Sequence, residues 1–192
     1  MTAGDKEYKI SLYMFVNLLE KIGPKTGVGA MHSKYREIFA TTGQHPSSGD
    51  VVIESMSDVS KYNLVPYFGT FYLRASSDME NETYDKDYVI PYYLKDILTD
   101  DADVQAVMEK YSLSGVYSLV TTDELAYTGY TSNMTINLDI DDIEQIRNKI
   151  ILIKNGSHVA KAVVVEDTAI SVELPVGTYE VELPAPDDKS YM

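Results

Sequence analysis

The hydrophobic period changes part-way along this chain, and that change decides what the chain can fold into. Over the first 75 residues apolar positions recur at helical spacing; from about residue 131 they alternate. A stripe of period 3.6 buries one side of a helix, whereas a period of two buries one face of a strand. The expected fold is therefore α+β. A helical portion (1–75) leads into a connector with a helix and a short strand (76–130). A small antiparallel, sandwich-like β module (131–192) follows.

Leu12, Phe15, Leu19 and Ile22 are spaced three, four and three apart and share one helical stripe, widened by Ile10, Met14 and Leu18. Gly23-Pro24 ends that helix, because glycine accepts a left-handed terminus and proline cannot continue. A second helix is expected from about Gly27 to Thr41, with Val28, Met31, Tyr35 and Ile38 on one face and Gly43 just past its end. Ser47 or Ser48 caps a third helix carrying Val52, Met56 and Val59. Asn63 caps a short fourth, with Pro66 in its first turn and Leu64, Tyr67, Phe68 and Phe71 apolar. The acidic stretch 76–88 reads as an exposed connector loop. Val89 to Tyr93 reads as a short extended piece, with Pro91 limiting its pairing. Thr99 or Asp100 caps a helix through Tyr111, where Asp100, Asp101 and Asp103 complement the positive end of the helix dipole. Val116 to Val120 reads as a strand.

In the β module, Met134, Ile136, Leu138 and Ile140 alternate with polar neighbours, and Asp141 to Lys149 fits a short helical turn. The strongest local signal is Asn155-Gly156 between the apolar runs 150–154 and 157–165. It predicts a hairpin that pairs Lys154 with Ser157 and Ile153 with His158. Asp167-Thr168 and Pro175-Val176-Gly177 turn the chain into two more strands, Ala169 to Leu174 and Tyr179 to Leu183.

Composition limits the chemistry. With 16 Lys+Arg against 30 Asp+Glu the net charge is −14. So few cations argue against nucleic-acid phosphates and anionic membrane surfaces as partners. No segment has the roughly 18 to 20 consecutive apolar residues of a membrane span. The opening MTAGDKEYKI lacks the basic patch and apolar core of a secretion signal. No cysteine is present, so disulfides, thiolate metal sites and a cysteine nucleophile are excluded.

The polar constellations point to no catalytic centre. His32, His45 and His158 show none of the HExxH spacing of zinc peptidases. Gly156-Ser157-His158 lies outside any G-x-S-x-G elbow, and neighbours on a strand face opposite ways. Gly27-Val28-Gly29 lacks the third glycine of a nucleotide loop and reads as helix packing. Asp139, Asp141, Asp142 and Glu144 form an acidic cluster that could take calcium, but the EF-hand glycine and glutamate are missing. Tyrosine is abundant, 16 against four Phe and no Trp. Tyr8, Tyr13, Tyr35, Tyr62, Tyr67 and Tyr72 of the helical part are candidates to stack on sugars or peptides, with Tyr67 and Tyr72 expected to be exposed. Asn81, Asn133 and Asn155 stand in N-x-S/T sequons.

Several segments together resemble a family. KYNLVPYFGTFYLRAS (61–76) is similar to the stretch that closes the catalytic domain of enhancin-type zinc metallopeptidases, the mucin-degrading group. SGDVVIESMSDVS (48–60), ISLYMFVNLLEKIG (10–23) and MHSKYREIF (31–39) look like its preceding helices. Residues 98–120, 139–156 and 174–184 look like the small β region downstream. The likeness spans roughly 10 to 184. It departs from the family in one decisive respect: the HExxH motif and its glutamate ligand would lie upstream of residue 1. Where the family has a tryptophan-glycine pair, this chain has Tyr72-Leu73. The resemblance therefore implies a non-catalytic C-terminal part of a secreted, extracellular zinc metallopeptidase acting on mucin-type glycoproteins. No catalytic or metal-ligating residue is assigned in this chain, and zinc belongs to the parent protein. The rival readings are a stand-alone glycan- or peptide-binding module and a cytoplasmic structural or regulatory protein.

Overall fold

A computed structural model describes residues 15–70 and 73–185. The α+β class is as expected: helices dominate the first part, and small antiparallel sheets follow. The chain divides into two compact units that meet in sequence at Thr121 and Thr122. Among the described residues no helix is long and apolar enough to cross a membrane. The expected stripe positions Ile10, Leu12 and Met14, with Phe71 and Tyr72, lie outside the described residues.

In the first unit, residues 15–22 are helical (α1) and Gly23 interrupts with φ 85°. Pro24 does not lead into a loop. It opens α2 (Pro24–Thr42), three residues before the expected start, because a proline at the first helical position gives up no hydrogen bond. The two helices close at Gly27, where a Cβ would lie 2.8 Å from side-chain carbons of Leu19 and Ile22. Gly43, left-handed at φ 69°, ends α2 by donating its N–H to the Phe39 carbonyl at 2.9 Å.

The third helix, α3 (Ser48–Ser60), is buried on nearly all sides. Ile53 and Met56 enter the core with Leu18, Leu64, Val65, Tyr67, Phe68 and Leu119. Val59, expected on the inner face, is exposed. The buried polar side chains of α3 are satisfied. Ser55 donates to the Val51 carbonyl, and Ser57 Oγ accepts the Leu64 N–H at 3.3 Å. Glu54 pairs with Lys34 of α2 at 2.7 Å. The short helix α4 (Val65–Gly69) has Leu64, not the expected Asn63, at its N-cap position; Asn63 stands one residue earlier, and its Oδ1 accepts the Val65 N–H at 3.1 Å.

The acidic stretch 76–88 is not a loop. It forms α5 (Ser77–Asp85), capped by Ser76 Oγ on the Met79 N–H, with Asp78 and Glu80 in its first turn. Acids there complement the helix dipole, and the fully buried Thr83 turns one face inward. Asp50 of α3 accepts the Ser76 N–H at 2.7 Å, and Asp58 of α3 holds Lys86 at 3.0 Å, so α5 is tied to α3 at both ends. Beyond it, β1 (Tyr92–Tyr93) leads into α6 (Leu94–Ile97). The Asp100 side chain caps α7 (Asp101–Tyr111) with bonds to Ala102 and Asp103 N–H. β2 (Leu119–Val120) returns to pair with β1, antiparallel.

The second unit opens with a short helix, α8 (Thr122–Leu125), and is otherwise mostly sheet. β3 (Thr131–Asn137) pairs with β6 (Ala169–Pro175). In a second sheet β4 (Ile150–Asn155) lies between β5 (His158–Val164) and β7 (Glu180–Glu182). Ile151 and Ile153 of β4 meet Ile170, Val172 and Leu174 of β6 in one core with Leu138, Ile146 and Val165. Met134 and Ile136 are half-buried against it, whereas Ile140 lies beyond β3 and is exposed.

The hairpin exists, but its register differs from the expected one. Asn155 pairs with His158 and Lys154 with Val159, and a bulge between Ile153 and Lys154 then sets Ile153 against Lys161. The turn residues are Gly156 and Ser157, and only Gly156 has positive φ (56°). The cause is the Asn155 side chain. Instead of occupying the turn it points inward, where Nδ2 donates to Thr122 Oγ1 at 3.0 Å and to the Thr178 carbonyl at 2.9 Å.

Two predictions follow from this packing. A Cβ at Gly49 would lie 2.3 Å from the Arg74 carbonyl oxygen, whereas one at Gly29, inside α2, meets nothing within 4 Å. Thermal or denaturant melts should show Gly49→Ala destabilising by about 1–3 kcal/mol and Gly29→Ala stabilising by about 0.5–1 kcal/mol. Equal effects would contradict the packing. The hydrogen bond to Glu54 is the largest influence holding the Lys34 pKa above its ordinary 10.5. A raised folded-state value means that the pair's contribution is whole below 10.5 and is lost as pH rises through the folded value. Glu54→Gln should therefore cost about 1–3 kcal/mol at neutral pH and flatten the alkaline limb of the stability curve.

Candidate functional site

The expected chemical groups are dispersed. His32 is exposed on α2, His45 lies in the loop after α2, and His158 is the exposed first residue of β5. His45 is held by packing: Tyr35 hydrogen-bonds its Nδ1, and the Phe39 ring lies 5.1 Å away. Among the described residues no group of three or more His, Asp or Glu side chains is placed to hold a metal ion. The histidines on separate elements do not fit the donor set of a zinc peptidase.

The acidic cluster serves the local backbone. Asp142 Oδ1 accepts the Glu144 N–H at 3.1 Å, and Glu144 pairs with Arg147 at 2.7 Å. Gly27 and Gly29 both lie inside α2, away from any strand-to-helix turn. Of the sequon asparagines, Asn81 and Asn133 are exposed, but Asn155 is 7 % exposed with its amide engaged.

The tyrosines give a different picture. Tyr8, Tyr13 and Tyr72 lie outside the described residues. Tyr67, expected at the surface, is 1 % exposed in the core of the first unit, and burial pushes its pKa well above the usual phenol range. Tyr62 packs half-buried against the same core, and Tyr35 is partly exposed beside His45.

The tyrosines that come together are Tyr92, Tyr93 and Tyr117. The β1–β2 ladder sets Tyr93 opposite Leu119, and the Lys95 N–H bonds the Val116 carbonyl at 2.9 Å, which brings residue 117 beside residue 93. The rings of Tyr92 and Tyr93 stack, with centroids 4.8 Å apart and planes at 27°. Tyr117 continues the row, 5.9 Å from Tyr93, and is 52 % exposed.

Two hydroxyls of this row, those of Tyr92 and Tyr93, are held in place. Thr70 Oγ1 donates its proton to the Pro66 carbonyl at 3.1 Å, so at 2.6 Å it accepts from the Tyr92 hydroxyl. Tyr93 bonds the Asp96 carboxylate, and burial together with that negative charge pushes its pKa up to about 12. It is therefore a neutral phenol at physiological pH. The result is a row of three aromatic rings with a polar edge, able to stack on the C–H face of a sugar or a proline ring and to hydrogen-bond at its rim. Pattern reading missed it because Tyr117 joins the Tyr92-Tyr93 doublet only through strand pairing. The available signals were the Tyr92-Tyr93 doublet after Pro91 and the Tyr in Val116-Tyr117-Ser118.

Comparison with family models, curated proteins and solved structures finds no match to this chain.

The polar edge makes its own prediction. In a spectrophotometric titration, Asp96→Asn should bring one tyrosine down from about 12 toward the ordinary 10, and Tyr93→Phe should remove that titration step. An unchanged high-pH step in Asp96→Asn would contradict the arrangement.

Proposed function

We propose that this chain is a non-catalytic accessory part of a secreted, enhancin-like zinc metallopeptidase acting on mucin-type glycoproteins, and that the Tyr92–Tyr93–Tyr117 row is the face that meets substrate. The observation that carries the reading is the row itself: Tyr92 and Tyr93 stacked, Tyr117 beside them tilted at 53° and 52 % exposed, and the neighbouring hydroxyls fixed by Thr70 and Asp96. Rigid tyrosines supply contact area at little cost in side-chain entropy, which suits an extended, glycosylated ligand. The enhancin-like order of segments over 10–184 supports the choice of parent and of glycoprotein. Zinc and peptide cleavage belong to the parent, upstream of this chain. The same row equally serves a stand-alone glycan- or peptide-binding module, and the two readings differ in the size of the native polypeptide. An immunoblot of source cells and medium separates them: a secreted band several times larger than 21.5 kDa supports the peptidase parent. A band at the size of this chain moves the function to the stand-alone module.

The surface itself is tested by binding. Titration of the chain with an O-glycosylated mucin fragment should show saturable affinity, and Tyr117→Ala should weaken it by about tenfold, the equivalent of about 1.4 kcal/mol. Tyr35→Ala, on α2, serves as the control and should leave it unchanged. Equal affinity in the Tyr117 variant would remove the row as the binding face.

A further inference from the structure

Asn155-Gly156, where β4 enters the hairpin turn, is the most reactive dipeptide of the second unit, and the fold holds it in an unreactive geometry. Glycine after asparagine leaves the following backbone nitrogen unhindered, so that it can attack the asparagine side chain. Here Asn155 is the last residue of β4, paired with His158, and is 7 % exposed. Its Nδ2 donates to Thr122 Oγ1 at 3.0 Å and to the Thr178 carbonyl at 2.9 Å. Thr122 Oγ1 also accepts the Thr178 N–H at 3.2 Å, and a Cβ at Gly177 would lie 2.4 Å from that oxygen. One closely packed polar knot therefore joins α8, the end of β4 and the chain entering β7. The Asn155 side chain cannot swing toward the Gly156 nitrogen while both bonds from Nδ2 are made.

We infer that Asn155-Gly156 is a latent self-modification site, kept silent by the Thr122–Asn155–Thr178 knot and converted irreversibly when the knot opens. The step needs only water. The Gly156 nitrogen loses its proton to solvent and attacks Asn155 Cγ. The new C–N bond closes a cyclic imide, the Cγ–Nδ2 bond breaks, and the side-chain nitrogen leaves as ammonia. Water then opens the imide at one carbonyl or the other, giving an aspartate or an isoaspartyl linkage at 155. Neither product restores the knot. A carboxylate has no proton to donate to the Thr178 carbonyl. The isoaspartyl linkage lengthens the backbone within the hairpin and breaks the Asn155–His158 register. A single opening event thus becomes a permanent loosening of the second unit.

Peptide-level mass spectrometry of the full chain tests this. At one pH and temperature, conversion at Asn155 in the folded protein should be slower than in the urea-unfolded chain by about thirtyfold, the population factor of breaking two ordinary hydrogen bonds. Thr122→Val should speed conversion at Asn155 by about fivefold or more, about the worth of one such bond, with the exposed Asn133 as internal reference. If Thr122→Val fails to fold, the wild type in rising sub-denaturing urea serves instead. There the conversion rate should follow amide hydrogen exchange of β4. Asn155→Asp, the mimic of one product, should lower the melting midpoint of the second unit by about 4–8 °C. Equal conversion rates in folded and unfolded chain would overturn the inference. So would a folded Thr122→Val that converts at the wild-type rate, a urea series in which conversion ignores β4 exchange, or an Asn155→Asp protein as stable as the wild type.

Discussion

The first unit depends on the burial of α3. A helix that meets protein on nearly every side needs apolar residues for the core and internal partners for whatever polar groups it carries. Ile53 and Met56 supply the first. Ser55, Ser57 and Glu54 would each be a liability without the Val51 carbonyl, the Leu64 N–H and the Lys34 ammonium. These partners recruit the neighbours: Lys34 orients α2, Ser57 receives the start of α4, and Asp50 and Asp58 at the two ends hold α5. The surface that carries the tyrosine row is built outward from this centre, since Thr70 follows α4 and Tyr93 packs against the same core as Met56 and Phe68.

The second unit solves a smaller problem. Two sheets of two and three strands bury little area. Their core relies on the alternation of β6, in which Ile170, Val172 and Leu174 all face inward, and on Ile151 and Ile153 of β4. A polar knot around Asn155 supplements that core. Lys154, which pairs with Glu182 at 3.0 Å and lies 4.0 Å from Glu180, joins β4 to β7 by side chains as well as backbone.

How much of this was legible depended on whether the cause was local. Asp100 was readable as a cap because its carboxylate serves the backbone N–H groups of Ala102 and Asp103, two and three residues on. The alternation of β3 and the class of fold were readable because period alone determines them. Gly23-Pro24 ended α1 as its local chemistry indicates, but Pro24 also opened α2, which moved the start of that helix ahead of Gly27. The acid-rich 76–88 hid a helix because its charges complement the dipole, while the reason it folds, contact with α3, is tertiary. The hairpin was announced by Asn155-Gly156, yet its register was decided by Thr122 and Thr178, far away in sequence. Tyr67 was placed at the surface by its hydroxyl and in the core by its ring. For the same reason the row of Tyr92, Tyr93 and Tyr117 had no motif: strand pairing assembles it.

On the function proposed above, the tyrosine row is a binding face and the chain acts by contact. Backbone amide chemical shifts followed during titration with an O-glycosylated, threonine-rich mucin peptide test it most directly. Saturable shifts should cluster on Thr70, Tyr92, Tyr93, Asp96 and Tyr117, with the peptide left intact. Shifts centred in the second unit, no shifts at saturating peptide, or cleavage of the peptide by the purified chain would contradict it.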